Sequence, residues 1–339
     1  MRFTLWLKKK LGIIHPPTIV PYRGYGTRHL VYIKGQVLEN RPEMLSHVMD
    51  KKRKNLRHMI ARYLSTAIPD IQVEISFSGQ KKIIKTDECG YFMNWFEVDH
   101  PLDHTGWHPV DFCIHDTPET KQCIKTGEVL IVDTDAPFGI ISDIDDTVLV
   151  SHATQLLRKL RLILTKNAKT RLPFVGVKEF YQALTGNNSS NPIFYVSSSE
   201  WNLYDFLVDF FATKHLPKGP FLLQEFKSGI KDLIRSGGGS HMHKTQKIHR
   251  LMKLYPSLSF VLIGDSGQRD PEIYADIAAQ YPARVKAIYI RAVGKKKELD
   301  KKLVKQTAKE GVEMVLVHTT EEAYTHALKA GLIQSEVNE

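Results

Sequence analysis

Residues 138–147, Phe-Gly-Ile-Ile-Ser-Asp-Ile-Asp-Asp-Thr, constrain this chain more than any other stretch. An apolar run stops abruptly in three carboxylates, Asp143, Asp145 and Asp146, followed by the hydroxyl of Thr147. A short apolar run of this kind reads as a strand buried on both faces of a parallel sheet. Ligands of open α/β sheets sit beyond the carboxyl ends of such strands. Three acids crowded there repel one another unless a cation neutralises them, so the stretch calls for a metal ion. The competing reading is a solvated acidic turn after an ordinary strand.

The surrounding pattern supports the sheet. After Pro137 extended candidates alternate with helical ones, at 138–142, 193–196, 221–224, 260–263, 285–290 and 313–317. Repeated βα units imply a parallel sheet with helices on both faces. The last helix is well marked, with a capping box from Thr319 to Glu322 and a stop at Gly331. Before residue 137 the style is different. Short extended segments at 29–38, 71–77, 82–86, 91–98, 110–115 and 128–132 are separated by turn signals such as Ser78-Gly79 and 87–90. That spacing predicts a small β-sandwich. Residues 1–27 read as a basic, Pro-rich and partly irregular lead-in, and 42–68 as helical around a Lys/Arg cluster at 51–57. The expected division is therefore 1–136 for a β-rich domain and 137–339 for a Rossmann-like α/β domain.

Composition narrows the class. The 339 residues are 42% hydrophobic and 25% charged, ordinary for a soluble globular chain. No apolar run reaches the roughly 18 residues of a membrane span. Lys8, Lys9 and Lys10 interrupt the apolar start as a secretory signal would not. Three cysteines, Cys89, Cys113 and Cys123, lack metal-type spacing and read as reduced thiols of a cytoplasmic protein. The net charge of +10 is uneven, with 13 Lys/Arg against 3 Asp/Glu in residues 1–60 and 7 against 1 in residues 151–190. Basic patches beside an acidic centre fit an anionic partner or simply a soluble surface.

Three more clusters close strands or open helices. The run Phe194-Tyr-Val-Ser-Ser-Ser199 puts Ser197 at a strand tip, within reach of a phosphoryl oxygen, while Ser198 or Ser199 would cap a helix starting near Glu200. Lys244 shares an apolar helical stripe with Ile248, Leu251 and Tyr255 in a helix expected over 244–255. An inward lysine wants an anion, unless it snorkels from the first turn. Residues 235–244 read as a flexible Gly-rich loop. Finally Val261-Leu-Ile-Gly-Asp265 ends a strand in an acid, with Asp270 five positions on and Pro271 behind it. Asp270 could equally be the N-cap of the next helix.

The set Asp-x-Asp-x-Thr at 143–147, strand-Ser at 197, Lys244 before a helix and Gly-Asp-x-x-x-x-Asp at 264–270 resembles the four motifs of the haloacid dehalogenase superfamily. The wording is similar to one branch, the actin-patch-associated phosphatidate phosphatase family and its bacterial relatives, over roughly 138–292. The resemblance implies a parallel sheet of the haloacid dehalogenase type and a Mg²⁺-dependent phosphatase working through an aspartyl-phosphate. It makes Asp143 the nucleophile and Asp145 the general acid and base. Mg²⁺ would be held by Asp143, the Asp145 carbonyl and Asp265, with Asp270 as a ligand or behind one. Ser197 and Lys244 would bind phosphoryl oxygens, and Thr147 would fix the loop.

The substrate implied is phosphatidate or a related phospholipid, met at an anionic membrane surface by a peripheral protein. The segment 156–166, apolar and basic in turn, suits that contact. A phosphatase of soluble, nucleic-acid or protein phosphomonoesters is the alternative, although no strong nucleic-acid signal is present. A non-catalytic phosphate-sensing module is the third reading, disfavoured because Asp143 and Asp145 are both intact.

Overall fold

The computed structural model describes residues 15–40, 65–114, 124–144, 176–186, 190–225, 239–292 and 297–334, excepting the side chains of 239–242 and 297–300. The chain divides into two compact units. One comprises Met1–Asp133, Glu200–Asp209 and Glu225–Gly237, and the other Thr134–Ser199, Phe210–Gln224 and Gly238–Glu339.

The described residues of the first unit form the strands β1 (Pro17–Gly26), β2 (Leu30–Glu39), β3 (Gln72–Phe77), β4 (Gln80–Lys85), β5 (Tyr91–Glu97), β6 (Gly106–Ile114) and β7 (Ile124–Ile131). They form one sheet in the order β4-β3-β6-β7-β1-β2-β5. β1 joins its two antiparallel blocks. It runs antiparallel to β2 with an irregularity between Tyr22 and Tyr25, then pairs in parallel with β7 through Gly24–Gly26. The blocks curl over a single core in which Phe92 meets Phe112 and Phe77 meets Phe96, with ring centroids 5.6 and 6.4 Å apart. Alternation places Val31, Ile33 and Val37 of β2 in that core. The opposite face of β2 is buried as well. There Lys34, 3% exposed, pairs with Glu225 and lies over the rings of Tyr91 and Trp201.

Two expectations for this unit need correction. Residues 17–26 are an ordered strand, not an irregular lead-in. Gly24 and Gly26 are there because a Cβ would come within 2.4 Å of the Tyr32 and Leu30 carbonyl oxygens. The predicted helix does not reach Ile68: Ala67 bridges Leu38, and the Ile68 N–H donates to the Val37 carbonyl. Residues 41–64, with the Lys/Arg cluster, lie outside the described residues.

The second unit holds β8 (Gly139–Asp143), β9 (Ile193–Glu200), β10 (Phe221–Gln224), β11 (Phe260–Asp265), β12 (Val285–Arg291) and β13 (Met314–Val317). The helices are α1 (Val177–Thr185), α2 (Tyr204–Thr213), which runs from one unit into the other, α3 (Gly239–Leu254), α4 (Asp270–Gln280), α5 (Lys297–Lys309) and α6 (Thr320–Lys329). The sheet order is β10-β9-β8-β11-β12-β13. β8 pairs in parallel with both β9 and β11, and β11-β12 and β12-β13 are parallel too. Its central strands are apolar throughout because both faces are covered: Ile140, Phe194, Val196, Phe260, Val261 and Leu262 are completely buried.

Counted from β8 the order is 3-2-1-4-5-6, so the winding reverses between β8 and β11. The carboxyl ends of those two strands flank the crevice where such sheets bind ligands. At the far end the Thr319 hydroxyl caps α6 by accepting from the Glu322 N–H at 3.2 Å, and Glu322 Oε2 accepts from the His318 N–H. Among the described residues no helix is long and apolar enough to cross a membrane.

Candidate active site

Asp143 is the last residue of β8, level with Val196 of β9 and one position beyond the Ser142–Ile263 pair with β11. The register therefore sets Asp143, Ser197 and Asp265 along one edge of the sheet. Asp265 ends β11, and Asp270 opens α4 behind it. One oxygen from each of Asp143, Asp265 and Asp270 lies within 4.8 Å of the others.

Lys244 enters from α3. The predicted stripe holds, since Lys244, Ile248, Leu251 and Tyr255 are all at most 2% exposed. Its Nζ lies 2.9 Å from Asp143 Oδ1 and also donates to Asp270 Oδ1. The side chains of Asp143 and Asp270 are 2% and 1% exposed. Burial by itself lowers the Lys244 pKa, but Asp143 and Asp270 outweigh it and hold the ammonium well above its usual range. α3 begins at Gly239, so residues 239–243 are helical and not part of a flexible loop. Lys244 consequently sits in the second turn, away from the free N–H groups of the helix start.

Asp270 is completely buried and makes no side-chain cap of its own helix, whose N-cap is Arg269. Instead its Oδ2 accepts from the Asp265 N–H at 3.1 Å, so one carboxylate ties Lys244 to the strand tip. Gly264 is required for that approach. A Cβ there would lie 2.5 Å from Asp270 Oδ2 and 2.7 Å from Asp270 Cβ. Asp265 folds its own loop through Oδ1, which accepts from the Gly267 and Gln268 N–H groups at 2.7 and 3.2 Å.

Ser197 is completely buried at the end of β9, and its Oγ accepts from the Ser199 N–H at 2.8 Å. The expected helix cap by Ser198 or Ser199 is not found. The strand runs on to Glu200, a 3₁₀ turn (Trp201–Leu203) precedes α2, and its N-cap Glu200 makes no side-chain cap bond. Asp145 and Thr147, like the basic segment 156–166, lie outside the described residues.

Three supporting groups were not foreseen. Ser142, fully buried, bonds Tyr181 of α1 through the two hydroxyls at 2.7 Å, and burial pushes the Tyr181 phenol up to about 12. Tyr274 of α4 donates to the Ile263 carbonyl at 3.0 Å, with burial and then Asp270 and Asp143 raising its pKa. Lys247 of α3 donates to the Ser197 carbonyl at 2.8 Å. A tyrosine or lysine on a buried helical face is the only signal the sequence carries for any of them.

Carboxylates this close cannot all stay ionised without added positive charge, and one lysine leaves the described cluster with an excess of acid. Hard carboxylate oxygens suit a cation such as Mg²⁺, so the donor set fits the ion that the motif implies.

Acids at both sides of a switch point, bound by one buried lysine, define an α/β protein with a centre suited to holding a cation and an anion together. Residues 138–292, which carry these groups, match the family model described as the catalytic domain of phosphatidate phosphatase APP1. Phosphatidate phosphatase APP1 of Saccharomyces cerevisiae is 28% identical over 252 residues, 73% of this chain and 42% of that protein. An uncharacterized protein of Schizosaccharomyces pombe is 30% identical over 171 residues, 49% of this chain and 27% of its own. The chain thus spans less than half the length of these curated relatives. Among solved structures, a carbohydrate acetylesterase from Xanthomonas citri covers 94% of this chain and 74% of its own at 13% identity, with a TM-score of 0.33. That likeness is too distant to inform the site.

Proposed function

We propose that this chain is a Mg²⁺-dependent phosphatase, built on a haloacid-dehalogenase-type sheet, that hydrolyses phosphatidate or a related phospholipid phosphomonoester. The observation that carries the reading is the Asp143 carboxylate, 2% exposed at the tip of β8, with Lys244 Nζ at 2.9 Å. A buried carboxylate facing a buried cation, inside a segment matching a phosphatidate phosphatase catalytic domain, supports a nucleophile that attacks an anionic phosphorus.

One Asp143 oxygen attacks phosphorus in line, forming an aspartyl-phosphate as the bond to the alcohol oxygen breaks. Asp145 gives that oxygen a proton and then takes one from the water that cleaves the acyl phosphate, restoring both acids. Ser197 offers its hydroxyl to a phosphoryl oxygen. Lys244 holds Asp143 in its ionised form and faces the charge that builds on phosphorus, where an interaction in a dry site counts most. Asp143, Asp265 and Asp270 would hold Mg²⁺, which when bound neutralises the acid excess and polarises a phosphoryl oxygen. Gly264 and the Asp265 N–H keep Asp270 where it serves both Lys244 and the cluster. The lipid part of the reading rests on the likeness to phosphatidate phosphatase APP1, and peripheral contact with an anionic membrane belongs to it.

The test is phosphate release from phosphatidate in mixed micelles, with Mg²⁺ or chelator, for wild type and Asp143→Asn. Release that needs both Mg²⁺ and Asp143 supports the whole reading. Turnover of an aryl phosphate without phosphatidate hydrolysis discards the lipid and keeps the chemistry. Inactivity on both substrates refutes the enzyme.

A further inference from the structure

Asp143 ends β8, where its last ladder pair is with Val196 of β9, and the peptide that follows leaves the sheet. A ladder fixes the residues inside it more firmly than the one at its end. The direction of that last carbonyl sets ψ, and the backbone angles decide which rotamers the side chain can take. A group that holds the Asp143 carbonyl therefore also aims the Asp143 carboxylate.

Such a group is present. Ser142 Oγ lies 3.0 Å from the Asp143 carbonyl oxygen and 2.7 Å from the Tyr181 hydroxyl. A carbonyl only accepts, and a serine hydroxyl has a single proton. Ser142 thus donates to Asp143, and Tyr181 donates to Ser142. Ser142 is completely buried, so water does not compete for either bond. Burial pushes the Tyr181 phenol up to about 12, which keeps its proton in place across the neutral range. Tyr181 is itself carried by a packed helix. Phe180 and Leu184 of α1 are buried, and the Phe180 ring meets Tyr289 of β12 edge-on at 5.5 Å.

We infer that Ser142 and Tyr181 are positioning residues for Asp143, a relay of two hydroxyls that runs from α1 to the Asp143 carbonyl and aims its carboxylate. The role rests on the phosphatase reading, because it needs a nucleophile to aim. In-line attack tolerates little misplacement, and about 1 Å can cost a large factor in rate. Substrate binding by other groups is not touched, so the relay should act on kcat and spare KM.

Kinetics on an aryl phosphate in excess Mg²⁺, with a thermal melt of each protein, would compare wild type, Ser142→Ala, Tyr181→Phe, the double variant and Ser142→Thr. Ser142→Ala should lower kcat by about 10-fold and leave KM within about twofold. Tyr181→Phe removes only the outer donor and should lower kcat by about threefold. In the Ser142→Ala background it should lower kcat no further, because Tyr181 acts through Ser142. Ser142→Thr keeps the hydroxyl and should hold kcat within about threefold of wild type. A pair that only braces α1 on β8 would lower the melting temperature and leave kcat unchanged in the folded variants, which overturns the assignment. A Tyr181→Phe loss that persists undiminished without the Ser142 hydroxyl overturns it too. If Ser142→Ala does not fold, Tyr181→Phe decides: a kcat loss at constant KM supports the relay, and wild-type kcat refutes it.

Beryllium trifluoride, which bonds a carboxylate oxygen in the place of phosphorus, separates the relay from the phosphatase reading. Fluorine NMR would follow its adduct in Mg²⁺, with Asp143→Asn as the blank. A wild type that hydrolyses no ester but forms the adduct, and forms it more weakly in Ser142→Ala, keeps the relay and refutes the phosphatase. A wild type that hydrolyses esters with kcat indifferent to both hydroxyls does the reverse. Neither hydrolysis nor an adduct in wild type overturns both.

Discussion

Among the described residues each unit buries one lysine almost completely, and the two have different surroundings. Lys34 in β2 is 3% exposed and Lys244 in α3 is 2% exposed. Lys34 meets the carboxylate of Glu225, whose side chain is 36% exposed, and the faces of Tyr91 and Trp201 at 4.8 and 5.4 Å. A carboxylate open to solvent faces its charge, and aromatic rings lie beside it. Lys244 meets two carboxylates that are themselves buried, with a third acid close by. Among the described residues there, three acids stand with one lysine. A balanced buried pair can be exchanged for apolar packing at little cost, whereas an unbalanced cluster persists only where some other charge completes it. Imbalance, not burial, distinguishes the candidate centre from the Lys34 pair.

The sharpest way to break this contrast is Asp143→Asn. Phosphate release should fall by at least about 10³-fold, as for other deleted nucleophiles. The melting temperature should hold or rise, because one of three crowded acids is gone and Lys244 keeps Asp270. Retained turnover would remove Asp143 from the mechanism.

Lys244→Met comes next. Three buried acids without their lysine should cost about 3–5 kcal/mol in denaturant unfolding, and turnover should drop by about 10²- to 10³-fold. Added Mg²⁺ should restore part of the stability through mass action on the folded state. Failure of Mg²⁺ to shift the midpoint would count against a cation among Asp143, Asp265 and Asp270.

Gly264→Ala acts on the same centre through space alone. The new methyl would press on Asp270, which has to retreat from Lys244 and from the Asp265 N–H. Overpacking of this kind costs about 1–3 kcal/mol. Activity should fall with it, and a variant equal to wild type in both would show that Asp270 can move freely. Lys34→Met, by contrast, keeps the volume and frees Glu225 toward water, so the change should stay below about 1.5 kcal/mol. Hydrolysis should not change at all. A loss as large as that of Lys244→Met would erase the distinction between the two lysines.

Much of the centre is legible in the sequence because β8, β9 and β11 are uninterrupted apolar runs, each closed by the polar residue that the sheet presents at its edge. Lys244 is legible for a similar reason, since a charged residue on an apolar helical stripe has to answer to something buried. What escapes is set by neighbours distant in the chain. β1 looks irregular because Pro17, Pro21, Gly24 and Gly26 read as breakers, yet the two glycines are demanded by carbonyls of β2. Residues 239–243 look like a linker by composition, but a helix whose later turns bury Ile248 and Leu251 extends back through them. The 65–68 stretch leaves its helical pattern to pair with β2. The Ser142–Tyr181 contact joins residues 39 positions apart, with no periodicity linking them.

That contact supports the smallest effect. Burial raises the Tyr181 phenol from its usual value of 10.0 to about 12, so the folded state favours the neutral hydroxyl that bonds Ser142. A group whose folded pKa is raised contributes fully below its unfolded pKa and loses that contribution as pH climbs to the folded one. Tyr181 should therefore leave stability untouched up to about pH 10 and erode it between pH 10 and 12. In Tyr181→Phe this share of the alkaline loss should vanish, while the cost at pH 7 is that of one buried hydrogen bond, about 1 kcal/mol. Denaturant midpoints for both proteins at pH 7, 10 and 12 decide it. A variant curve parallel to wild type from pH 10 to 12 would mean that the phenol ionises without strain, and that the Ser142–Tyr181 pair shapes the strand tip without storing any pH dependence there.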